Sequence, residues 1–265
     1  MNTPAFKDRQ YSFRLNGKQY SFVVRKPENT SSRPALLLAI TTDWKTSLNH
    51  TTYNTIPNIF LSAGYNVASF DLPNHGELIN RYGEGLVGWA NAISDGVNVI
   101  ETIRKIGSRI IDIAIKENLA WQQTVALMGV SRGGFSAMHI MAHDSRVYAA
   151  AVCAPVTDLR VLKEFNRLKE NKIVLSANAE NLVPALADRF LCISIGEKDP
   201  RIDEKACYRF HAMLSAASKK FQPELFVLQG ETHGTSALTE ASYIAGASFL
   251  LGKIALRIKE RVNKD

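Results

Sequence analysis

A chain of 265 residues with 46% hydrophobic side chains has the material for one sizeable core, and its +7 net charge is dispersed rather than gathered in a basic run. That dispersion argues against a nucleic-acid partner. No stretch approaches the ~18 consecutive apolar residues of a membrane span, and residues 1–10 are polar, lacking the apolar centre of a signal peptide. The expectations are one domain over residues 1–265, a cytoplasmic location, and no nucleic-acid or membrane partner. Cys153, Cys192 and Cys207 are odd in number and widely spaced, which argues against a disulfide framework.

In chain order, residues 11–15 and 19–25 flank Asn16-Gly17, a hairpin-turn signal, and predict an antiparallel edge. Residues 34–40 open the parallel portion, 50–63 read as a helix ending before Gly64, and 66–70 as the next strand. Residues 89–119 are mostly helical, with an interruption near Gly107. After the strand 124–128 and the helix beyond it come the strand 148–154 and a stretch from 157 to 188. That stretch predicts two helices, 157–169 and 176–187, forming a small cap. Strand 190–195, helix 202–217, strand 224–229 and helix 235–261 complete the chain. Alternating strands and helices imply a doubly wound, mostly parallel sheet, here of eight strands. In the last helix Leu250, Ile254, Ile258 and Val262 form an apolar stripe opposite Lys253, Arg257, Lys259 and Arg261. The basic face reads as solvated rather than as a polyanion site.

The richest motif is Gly129-Val130-Ser131-Arg132-Gly133, between an apolar strand and a helix start. G-x-S-x-G at such a turn is a nucleophile elbow, in which a strained serine stands clear of the sheet. A hydroxyl at neutral pH needs a base, and the base an orienting carboxylate. Asp199 follows the strand 190–195 in Gly196-Glu197-Lys198-Asp199-Pro200, and His233 follows the strand 224–229. Both fall beyond the carboxyl ends of strands, where ligands bind in open α/β sheets. Asp203, the competing acid, falls at the following helix.

With these residues the chain resembles the α/β-hydrolases, and within them the group of dienelactone hydrolase and the catalytic domains of prolyl-oligopeptidase-type peptidases. The resemblance runs from about Pro34 to Gly234. It includes Asp71-Leu72-Pro73-Asn74-His75-Gly76, similar to the family's loop after the fourth strand, and Ala154-Pro155-Val156-Thr157-Asp158 after the sixth. It implies an α/β-hydrolase fold in which Ser131 is the nucleophile, Asp199 the acid and His233 the base. The oxyanion hole would combine the N–H of Arg132 with one from the loop after the third strand, that of Thr42 or else of Asp43. One departure is that the third strand ends in Ile40-Thr41-Thr42-Asp43-Trp44, where this superfamily usually has His-Gly. The peptidases of this group carry a propeller ahead of the catalytic domain, which favours an ester over a peptide here.

Other motifs carry less. Gly83-Glu84-Gly85-Leu86-Val87-Gly88 matches G-x-G-x-x-G, but polar Asn80-Arg81-Tyr82 precedes it instead of a strand. His139 and His143 are spaced as in H-E-x-x-H, with Ile140 where the glutamate belongs. No metal and no organic cofactor is expected. His75 and Trp44 are the candidate substrate contacts. The sequence thus predicts a serine hydrolase of a small-molecule carboxylic ester, with oligomeric state left open. Alternatives are a peptidase, amidase or thioester hydrolase, a lyase or cofactor-free haloperoxidase, or a non-catalytic binding member of the fold.

Overall fold

The five central strands of the sheet are short, mostly apolar runs buried on both faces, the pattern of a sheet sandwiched between helices. The structure, a computed structural model, describes residues 5–121, 123–199, 201–230 and 240–262. Eight strands form one sheet: β1 (Phe6–Leu15), β2 (Lys18–Pro27), β3 (Leu36–Ile40), β4 (Asn66–Phe70), β5 (Val125–Val130), β6 (Val147–Cys153), β7 (Phe190–Gly196) and β8 (Glu224–Leu228). Their order is β1-β2-β4-β3-β5-β6-β7-β8. β1 and β2 pair antiparallel across Asn16-Gly17, and β2 lies antiparallel to β4. From β4 to β8 all neighbours are parallel. This is the α/β-hydrolase architecture expected from the sequence.

Nine α-helices are described: α1 (Trp44–Asn49), α2 (Thr55–Ser62), α3 (Gly85–Ser94), α4 (Val99–Lys116), α5 (Arg132–His143), α6 (Lys172–Ser176), α7 (Val183–Leu186), α8 (Glu204–Ala217) and α9 (Glu240–Val262). Because side chains alternate along a strand, Leu36, Leu38 and Ile40 join one core with residues of α3, α4, α5 and α8. Leu37 and Ala39 face the other way and meet Leu48, Ile56, Phe60, Tyr243 and Leu250 from α1, α2 and α9. α9 is long and apolar enough to cross a membrane by length and composition. Its row Tyr243, Ala247, Leu250 and Ile254 is nevertheless buried against the sheet, while Val262 at its end is exposed.

Three segments differ from the sequence reading. The helix expected over 50–63 is confined to Thr55–Ser62, and a separate helix precedes it from Trp44, where Asp43 accepts the Thr46 amide at 2.9 Å as an N-cap. The long helical stretch breaks at residues 95–98, not at Gly107, which lies inside α4. There the absent side chain admits Ile140 of α5, whose atoms would come within 2.7 Å of a Cβ. The cap over 157–188 is built of short turns rather than two full helices: 3₁₀ turns at Leu159–Val161, Lys163–Phe165 and Ala179–Leu182, with α6 and α7. Asp158 and Asn178 are the N-caps of two of those turns and Asn171 that of α6, so each starts a new short piece.

The cap is tied to the elbow helix by a buried polar chain. His139 Nε2 donates to the Ala177 carbonyl at 3.0 Å, and Arg104 Nη2 donates to His139 Nδ1 at 2.9 Å. A ring bonded in this way must be neutral, with its proton on Nε2. Burial, helped by the Arg104 charge, holds its pKa down to about 3.

Candidate active site

The sharp turn between β5 and α5 gives the site its shape. Ser131 sits there with φ 56 and ψ −118, a left-handed conformation that a non-glycine residue adopts only under strain. Its amide is held by the Cys153 carbonyl at 2.9 Å and its own carbonyl accepts from Val156 at 3.2 Å, so β6 and its loop fix the turn. The next turn of α5 lies directly against β3: a Cβ on Gly133 would collide with the Ile40 carbonyl. This close approach brings Thr41 and Thr42, just past β3, beside the elbow.

A cavity of about 110 Å³ opens at that junction, lined by Thr41, Thr42, Tyr53, Val130, Ser131 and Arg132. Arg132 is the first residue of α5, so its amide has no carbonyl one turn earlier to bond. Thr42 is not among the residues with positive φ, so its conformation does not require the glycine usual at this place. The Thr42 carbonyl accepts from the Leu72 amide at 3.0 Å. Two amide donors beside one strained hydroxyl can hold an oxyanion that develops on a bound carbonyl.

A second cavity, about 380 Å³, adjoins the first, with Thr42 and Arg132 in both linings. Its walls include Asp43, His75, Glu84, Gly85 and Glu164. Buried Asp71, which sequence reasoning passed over, organises this side. Its carboxylate accepts the Trp44 amide at 3.0 Å and the Glu77 amide at 2.7 Å, pinning the loops after β3 and β4 to each other. Burial raises its pKa despite those two bonds. Trp89 completes the support: its indole is fully buried and donates to the Pro73 carbonyl at 2.6 Å. Such an anchor contributes roughly 2–3 kcal/mol of apolar burial to holding the loop.

His75 lies edge-on to Trp89 and donates from Nδ1 to the Pro73 carbonyl at 2.9 Å. Its Nε2 therefore accepts, and the donor is Arg132 Nη1 at 3.0 Å. Burial, with the guanidinium alongside, pushes the His75 pKa down to about 4. Burial likewise lowers that of Arg132, with Arg201 nearby adding to the effect. Glu164 is paired with Arg201 at 2.6 Å, while its Oε2 is buried without a hydrogen-bond donor among the described residues. Burial acts to raise the Glu164 pKa, but the Arg201 hydrogen bond outweighs it and holds the carboxyl below its usual range.

The two neutral histidines give a pH dependence of stability. Both rings would titrate near 6.5 in the unfolded chain and near 4 and 3 when folded. Between those values the unfolded state binds more protons, so stability is complete above about pH 6.5 and falls as pH drops through the window. By pH 5 the loss is about 2 kcal/mol for each ring. Urea midpoints measured at pH 7.5 and 5.0 should therefore fall clearly, and His75→Gln should remove about half the drop; equal midpoints would refute it.

Of the residues singled out in the sequence, Ser131, Arg132 and Thr42 meet around one cavity and His75 joins them at the next. Asp199 lies just past β7, buried, with Oδ1 accepting the Arg201 amide at 3.0 Å. Asp203 instead caps α8, accepting from the Lys205 amide at 3.1 Å. His233 lies outside the described residues. Trp44 departs from expectation: it lines neither cavity, and its ring packs against the core beneath α1 and α2. Tyr53 from the turn before α2 occupies the wall in its stead. Among the described residues no group of three His, Cys, Asp or Glu side chains gathers as metal ligands.

Fold and elbow together define the class: the chain is an α/β-hydrolase-fold protein. Solved structures of that fold match almost end to end. An esterase from an Arctic intertidal metagenomic library aligns with TM-score 0.70 at 17% identity over 94% of each chain. An esterase from Pyrococcus furiosus aligns with TM-score 0.67 at 17% identity, covering 94% of this chain and 93% of its own. The acylaminoacyl peptidase of Pyrococcus horikoshii gives TM-score 0.72 at 14% identity, covering 94% of this chain but 42% of its own. No curated protein matches in sequence. The family model for the prolyl oligopeptidase family matches residues 108–251, just over half the chain, and the chain belongs to that family.

Proposed function

We propose that this protein is a serine hydrolase that cleaves a carboxylic ester through an acyl-enzyme intermediate. The observation that carries the reading is the strained backbone of Ser131, φ 56, beside a small cavity shared with Thr42 and the first residue of α5. In the reaction Ser131 Oγ attacks the ester carbonyl while His233 takes its proton, and Asp199 fixes the imidazole tautomer and stabilises the cation. The amides of Arg132 and Thr42 hold the oxyanion. His233 then protonates the departing alcohol, and afterwards draws a proton from water to release the acid. The proposal invokes no metal or organic cofactor.

The expected preference for short acyl groups rests on size. The cavity beside Ser131 is about 110 Å³, and the cap, which reaches the adjoining cavity through Glu164, is made of short turns. A series of 4-nitrophenyl esters from acetate to laurate tests the reading. The two- to four-carbon acyl groups should give the highest kcat/KM, with the twelve-carbon ester roughly tenfold lower or worse. A preference for long chains would overturn the size argument. No turnover of any ester by folded protein would instead favour a non-catalytic binding role.

A further inference from the structure

The larger cavity beside the elbow contains a half-buried cation that Glu164 and Glu84 influence only through space. Arg132 is only partly exposed and forms no ion pair among the described residues; its hydrogen-bond partner is the neutral ring of His75, at 3.0 Å. Two acidic groups of the same cavity have partners of their own, although Glu164 Oε2 is left without a donor among the described residues. Asp43 caps α1 and bonds the Thr42 and Thr46 hydroxyls at 2.9 and 2.7 Å, and Glu164 is paired with Arg201 at 2.6 Å. Glu84 stands at the exposed rim. The chain is also shaped around the guanidinium. Gly85, at φ +65, faces it so closely that a Cβ would lie 3.2 Å from Nη1. A half-buried guanidinium with no carboxylate in contact is incompletely compensated, and an anionic ligand supplies what it lacks. With Nη1 engaged by His75, the rest of the planar fork offers parallel donors of the spacing a carboxylate accepts.

We propose that the Arg132 guanidinium is a carboxylate-binding group, and that the substrate is an ester carrying a free carboxylate a short spacer away from the carbonyl that Ser131 attacks. The inference deepens the hydrolase reading and rests on it. The backbone of Arg132 would then serve the oxyanion while its side chain selects the substrate, placing recognition one residue from the chemistry.

The test separates binding from turnover. In Ser131→Ala protein, which cannot turn substrate over, monomethyl glutarate and dimethyl glutarate are titrated by calorimetry. The monoanion should bind at least about tenfold more tightly, the range of one charged hydrogen bond. Adding Arg132→Met should erase that preference and Arg132→Lys should keep part of it, with circular dichroism verifying the fold of each. Equal affinity for the two esters, no detectable binding of the monoanion, or tighter binding of the cationic ester butyrylcholine through Glu84 and Glu164 would overturn the inference. Turnover of neutral 4-nitrophenyl esters by the unmodified enzyme without any anion preference would leave the hydrolase reading standing alone. Anion preference with no turnover of any ester would do the reverse.

Discussion

Replacing Ser131 by alanine should lower ester turnover by a factor on the order of 10⁶, the loss typical when a triad nucleophile is deleted. The fold should survive, because the interactions that hold the turn are made by the backbone: the Ser131 amide to Cys153 and its carbonyl to Val156. The strain offers a second readout. At φ 56 and ψ −118 any side chain is unfavourable, so Ser131→Gly should be equally inactive yet more stable than the parent by about 1 kcal/mol. Urea denaturation of the three proteins, with kinetics on a short ester, measures both effects. Activity and stability moving in opposite directions would mark strain maintained for function. A Ser131→Ala protein within tenfold of the parent would refute the assignment.

Asp199→Asn should cost about 10⁴ in kcat, since an amide presents the wrong partner to the imidazole and favours the wrong tautomer. The substitution is structurally mild: asparagine retains an oxygen that can accept the Arg201 amide now bonded at 3.0 Å. The neighbouring acid supplies the control. Asp203 caps α8, and asparagine is as good a cap, so Asp203→Asn should leave both stability and turnover nearly unchanged. His233→Gln should be about as damaging as Ser131→Ala. Comparable kcat values for the Asp199 and Asp203 variants would contradict the choice of acid.

The parallel strands were readable as short apolar runs and the first two through the Asn16-Gly17 turn between them, and the elbow because glycine and serine stand where β5 meets α5. What the sequence withheld depends on contacts between distant segments. Gly107 resembles a helix break until Ile140 is seen packed against it. The helix at Trp44 was signalled by Asp43 as an N-cap, a local cue that the replacement of His-Gly overshadowed. The cap resisted reading because its asparagine and aspartate residues start new turns faster than its apolar residues extend a helix. Within the site, backbone roles were more accessible than side-chain ones. That Arg132 heads a helix follows from the motif, whereas its pairing with His75 requires the loop after β4 to fold back over α5. Trp44 looked like a substrate contact from its place after β3, but the turn into α1 sends its ring to the opposite core, and Tyr53 fills the wall.

Peptide mapping by mass spectrometry after treatment with a fluorophosphonate probe tests the core of this account most directly. The reagent reacts only with a serine whose base and oxyanion donors are assembled around it, so it reads nucleophile, relay and amides in one step. One phosphonyl group should be found per chain, on the peptide containing Ser131, and it should vanish in His233→Gln protein. An unlabelled protein that is demonstrably folded, or a label on any other residue, would contradict it.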